Sequence, residues 1–142
     1  MRYTFWLGVG LLLFGSQAVL AGASCVVAKK LGNSLAIDWV ASESESAASA
    51  TEKAQLKLRE QGLHKKYQDF HPQASSELPH AHLVIVKTEY TTVRGKPRTS
   101  YGCGFSAKSV TEAGQAALSN LQSYSWGWKP ELGYEVVVQL KY

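Results

Sequence analysis

Four histidines fall in one window of this 142-residue sequence: His64, His71, His80 and His82. Neutral imidazole is the commonest side-chain ligand for Zn²⁺ and Cu²⁺. His80 and His82 are two residues apart at the entrance to a strand-like run, so both can project to one side. If the helix before Gly62 continues, His64 and His71 lie two turns apart on one face of it. A metal site on His80, His82 and His71 would take Zn or Cu, with Asp69 and Glu77 as the nearest carboxylates. The competing reading is a polar connecting loop with solvated histidines.

The other metal- and thiol-active residues are Cys25 and Cys103. An even count in an exported chain reads as one disulfide. It closes a loop of nearly 80 residues, and the chain-entropy model gives such a closure roughly 4 to 4.5 kcal/mol. Lipidation of Cys25 is the alternative, because "LAGASC" resembles a lipoprotein signal, although Ala23 and Ser24 intervene and Cys103 would be left unpaired. Templates for catalysis are missing: there is no G-x-S-x-G, no H-E-x-x-H and no glycine-rich phosphate loop. Nothing selects a catalytic pair among the 11 carboxylates. The expectation is a protein that is not an enzyme and holds no cofactor, Zn or Cu being the alternative.

Aromatic and basic residues make the third group. "SYSWGWKPELGY" places Tyr124, Trp126, Trp128 and Tyr134 among Gly127, Pro130 and Gly133. Exposed Trp and Tyr give large contact area at low entropic cost. One Trp can close the end of a core, but burying both in a short glycine-containing loop is hard, so at least one is expected on the surface. Tyr124, three residues after Leu121, falls on the buried face of the preceding helix. Arg94, Lys96 and Arg98 in "VRGKPR" read as a hairpin tip and supply a charged rim. The candidate partner-binding set is therefore Trp126, Trp128, Arg94, Lys96 and Arg98. A basic stripe of the nucleic-acid-binding kind is absent.

The elements that must position these groups begin after a leader. Arg2 followed by the apolar "WLGVGLLLFG" and small residues around Val19–Ala23 reads as a secretory signal, too short to span a bilayer of ~30 Å. We take residues 1–23 as the leader and 24–142 as one domain. That domain carries 14 Lys and Arg, one fewer than the full sequence, against 11 Asp and Glu, an excess of three. Ser46, Ala50, Ala54 and Leu58 recur 63 positions later as Ser109, Ala113, Ala117 and Leu121, each set on one helical face. Ser109 and Glu112 form a capping box, and Gly62 is placed to stop the first helix. Strand-like runs "SCVVAKKL" and "LAIDWVA", joined at Gly32-Asn33, precede the first helix. "HLVIVKTEYTTV" and "RTSYGCGFSA" precede the second, and "YEVVVQLKY" closes the chain. The order is β-β-α-β-β-α-β, a duplicated α+β architecture with one antiparallel sheet and both helices on one face.

The paired S-x-x-x-A-x-x-x-A helices resemble a family of small secreted bacterial proteins of unknown function, whose helices read S-x-x-x-A-x-x-x-A-L-x-x-C after short strand pairs. Leu58 and Leu121 stand where that family has cysteines, so its disulfides do not carry over. The resemblance implies a fold and a compartment, periplasmic or secreted, without an activity. The sequence as a whole suggests an exported binding protein of the inhibitor or immunity type, acting on a protein in the envelope. A metal-binding protein using the histidines and a cell-wall glycan binder using Trp126 and Trp128 are the alternatives.

Overall fold

The computed structural model describes residues 21–63 and 69–142; residues 1–20 of the expected leader, and 64–68 with His64, lie outside the described residues. The elements are β1 (Gly22–Lys30), β2 (Asn33–Ser42), α1 (Ala47–Glu60), β3 (Asp69–Ser76), β4 (His82–Thr91), β5 (Pro97–Ser106), α2 (Val110–Tyr124), a 3₁₀ turn at Pro130–Leu132 and β6 (Glu135–Lys141). They form two antiparallel three-stranded sheets, β2-β1-β3 and β5-β4-β6. Each sheet is a ββαβ unit with its first strand in the centre.

This α+β arrangement differs from the single sheet with two helices on one face. The reason lies in β1 and β4. Both are continuous apolar runs, Cys25–Ala28 and Leu83–Val86, buried on both faces. A strand with two apolar faces needs cover on both sides. Cys25 and Val27 meet Leu83, Ile85, Tyr101 and Cys103 in a core between the sheets. Val26 and Ala28 turn the other way, under Ala54 and Leu58 of α1. Val84 and Val86 lie under Ala113, Ala117 and Leu121 of α2. The layers run helix, sheet, sheet, helix, and the Cys25–Cys103 disulfide joins the two sheets through their shared core.

Both helices start as the repeat requires. The side chain of Ser46 accepts from the Ser49 N–H, and that of Ser109 from the Glu112 N–H, each cap contributing about 1 kcal/mol. Glu112 does not close the capping box; its Oε2 accepts from the Ser106 hydroxyl. Gly62, at φ 78°, ends α1 with its N–H on the Arg59 carbonyl. No described helix is long and apolar enough to cross a membrane.

A strand absent from the sequence reading, β3, lies where the histidine-bearing connecting loop was expected. It is polar and holds Pro72, so no alternation marks it. Proline is tolerated at an edge or bulge, and β3 is both. Gln73 is its extra residue, between Ala74 opposite Cys25 and Pro72 opposite Val26. Val137 is the extra residue of β6 at the matching place, between the partners of Ile85 and Val86. The first hairpin also shifts by one: its central residues are Leu31 and Gly32, both at positive φ, with Lys30 opposite Asn33. Finally, β1 starts at Gly22, before the boundary at residue 23. Ala23 is fully buried and pairs with Ala41 and Ser76, so the expected boundary falls inside β1.

Candidate functional site

The β4–β5 hairpin outruns α2, and the exposed ground beyond the helix becomes a cleft. Going out along β4, Val84 and Val86 are covered by α2. Tyr90 comes further out on the same face, directly opposite Arg98 in the ladder. The hairpin tip, closed by the Thr92 N–H on the Lys96 carbonyl, supplies Val93, Arg94 and Lys96. The facing wall is Tyr124 in the last turn of α2 with the segment after it: Trp126, Gly127, Lys129, Glu131 and Leu132. Gly32 of the first hairpin completes the rim, and the open cleft encloses about 890 Å³.

A turn decides the fate of the two tryptophans. The Trp128 N–H donates to the Ser125 carbonyl at 2.8 Å, which makes Trp126 and Gly127 the central residues of a β-turn. Central residues sit at the tip, and Trp126 is 93 % exposed. Trp128 follows the turn inward to 1 % exposure, packed with Val84, Val86 and Leu121. Its indole Nε1–H donates to the Gly133 carbonyl at 3.0 Å, and Tyr134 meets the ring edge-on. Trp128 therefore closes the core and is withdrawn from the partner-binding set. Tyr124 moves the opposite way: expected on the buried face, it is about half exposed and lines the cleft.

Arg94, Lys96 and Arg98 all line this cleft with Trp126, as the sequence suggested, and Lys129 joins them. Among the described residues none of these four cations is in an ion pair. Arg98 is aimed by its first hairpin neighbour, donating from Nη1 to the Leu31 carbonyl at 2.6 Å. Asn33 Oδ1 accepts from the Thr99 N–H and ties the same turn to β5. Lys29 of β1 places its ammonium 4.5 Å from the Tyr124 ring centre, and burial holds its pKa below the ordinary lysine value. Tyr90 and Lys129 were not singled out in sequence, and Tyr124 was assigned to the core. Tyr90 was accessible by counting back from the Gly95 tip, but Lys29 reaches the cleft wall only through the packing of the two units.

The histidines are dispersed. His71 lies on β3 opposite Val27, and His82 on β4 opposite Ser106 and Lys141, in different sheets. His80 is exposed at φ 50°, with Nδ1 2.9 Å from Glu43 Oε1. Among the described residues no three His, Cys, Asp or Glu side chains come together as a metal site. His64 lies outside the described residues. Comparison with protein-family models, with curated proteins and with solved structures finds no match for this chain. The functional argument therefore rests on the cleft itself.

Proposed function

We propose that this is an exported, disulfide-stapled binding protein of the inhibitor or immunity type, built by internal duplication of a ββαβ unit, and that the Trp126 cleft engages a protein partner in the envelope. The observation that carries the reading is Trp126, held at 93 % exposure by a turn beside three basic residues of a facing hairpin. An apolar ring of that size left in water is what interfaces use as an anchor, with charge around it setting specificity. Trp128, the residue that closes the same turn, shows that this segment can bury a tryptophan; Trp126 is the one kept out.

The test is a pull-down from native envelope extract with the oxidised protein as bait, beside Trp126→Ala and His80→Ala/His82→Ala versions. A stoichiometric protein retained by the parent and the histidine version, and lost with Trp126→Ala, supports the proposal. Because Trp126 packs against nothing in the core, the variant should melt with the parent, so a loss reports on binding. Retention indifferent to Trp126, or no retained protein at all, overturns it.

A further inference from the structure

We infer that the ligand of the cleft is an acidic, extended peptide segment of the partner, with an apolar side chain between carboxylates seated against Trp126. This rests on the protein-partner reading above and specifies its chemistry. Charge makes the first argument. Arg94, Lys96, Arg98 and Lys129 line the cleft against one carboxylate, Glu131, an excess of three. The whole chain after residue 23 has the same excess, 14 basic residues against 11 acidic. The rest of that chain is thus balanced, and its net positive charge is located in this cleft. Four unpaired cations lining one concave surface raise the local potential and draw anions.

Geometry narrows the anion. Arginine forks carboxylates bidentately, and Arg98 is pre-oriented by a neutral carbonyl, which fixes the fork without neutralising it. Tyr90, opposite Arg98 in the ladder, lines the cleft with Tyr124 and Trp126, so aromatic and charged groups share one surface. An open cleft of about 890 Å³ is at the upper end of the ~300–1,000 Å³ typical of ligand sites, room for a segment of a few residues. A neutral glycan would stack on Trp126 but leave four cations unanswered, so the peptide is the better occupant.

The probe is a short acetylated peptide with a leucine flanked by glutamates. It is titrated against the oxidised protein by calorimetry, and by the change in tryptophan fluorescence that Trp126→Phe removes. A lysine-flanked peptide, an N-acetylglucosamine tetramer and phosphatidylcholine vesicles containing phosphatidylglycerol run beside it. The acidic peptide is expected to bind, more weakly at high salt, and the other three not to bind. Arg94→Ala should weaken it by about fivefold and Glu131→Gln strengthen it by about as much, the upper range for an exposed charge pair. Both residues are exposed, and the gain expected from Glu131→Gln cannot come from misfolding. Binding of the acidic peptide that is no better than the lysine one, indifference to Glu131→Gln, or preferential binding of the sugar or the vesicles overturns the inference. If a Trp126-dependent partner is captured but ignores Arg94→Ala, the inference fails while the proposed function stands. Acidic-peptide binding with no Trp126-dependent partner sinks the proposed function instead.

Discussion

The two ββαβ units share a strand order yet seat their helices differently. Under α1, the strands present side chains along the body of the helix, where Val26, Ala28, Ala36 and Val40 meet Ala54 and Leu58, and bare backbone only at its start, where Gly22 lies against Ser46 and Ala47. Under α2, β5 presents backbone. A Cβ on Gly102 would run into the Ala117 carbonyl and Leu121, and one on Gly104 into the backbone at Ala113 and Ala117. The third strands differ too. The bulge residue of β3, Gln73, turns inward, donating to the Tyr101 carbonyl and to Asn120 Oδ1. Asn120 in turn donates to the Gln73 carbonyl and accepts from the Cys103 N–H. With Asn33 on the Thr99 N–H, three amide side chains cap the outer edge of β5 at alternate residues. The bulge residue of β6, Val137, is exposed. One topology thus gives a buttressing unit, whose bulge clasps its neighbour, and a unit whose long hairpin and helix end are free to make a cleft.

The disulfide is the strongest single link between the units, and removing it should have the largest effect. Cys25→Ser/Cys103→Ser opens a closure of 78 residues, worth about 4.5 kcal/mol in the chain-entropy model. Chemical unfolding should show an unfolding free energy lowered by that amount, with a correspondingly lower midpoint, and a single transition, since the Gln73–Asn120 clamp and the shared core remain. Two separated transitions would mean that the units are held together mainly by the bond. The helix seats should come next. Gly104→Val forces α2 off β5 and should cost about 3 kcal/mol or more, whereas Val40→Ala under α1 should cost about 1–2 kcal/mol. Equal losses in thermal melts would show that the close seat is not a constraint.

The bulges give a smaller but sharper contrast. Gln73→Ala removes the donor to the buried Tyr101 carbonyl, while Asn120 keeps the residue-73 carbonyl and the Cys103 N–H, and should cost about 1–2 kcal/mol. Val137→Ala, at the matching register position, should stay within about 0.5 kcal/mol. If both are neutral under the same denaturant titration, the clasp contributes nothing and the units are joined by apolar contact alone.

How much of this was readable depends on whether local pattern or long-range packing chose the structure. The helices were, because Ala50, Ala54 and Leu58 repeat as Ala113, Ala117 and Leu121, and all six are fully buried. Tyr101, Cys103 and Phe105 alternate as an edge strand should, and share one core. The second sheet was legible only in the unbroken runs Cys25–Ala28 and Leu83–Val86, whose lack of alternation is itself the mark of burial on both faces. β3 had no such mark: its pairing is set by β1, which needs a second neighbour, and Gln73 has no local reason to point inward. At the cleft, residue types identified Trp126 and the basic hairpin. The choice between Trp126 and Trp128 required the hydrogen bond that closes the turn.

The hairpins supply the smallest comparison. The β4–β5 loop meets its positive-φ requirement with Gly95, at 76°, but the β1–β2 turn places Leu31 at 51° ahead of Gly32. A branched side chain in the left-handed region costs about 1–2 kcal/mol, and Leu31 recovers none of it by burial, being 87 % exposed. Leu31→Asn should therefore raise stability by up to about 1 kcal/mol, seen as a higher melting temperature, because Asn tolerates that conformation and the carbonyl that holds Arg98 is retained. The same variant separates two reasons for an exposed leucine beside the cleft. If binding of the acidic peptide is unchanged, the apolar tip is dispensable and the turn matters only as the support of Arg98. If stability rises while the partner is lost, Leu31 is a second anchor beside Trp126, and its strain is maintained by the interface.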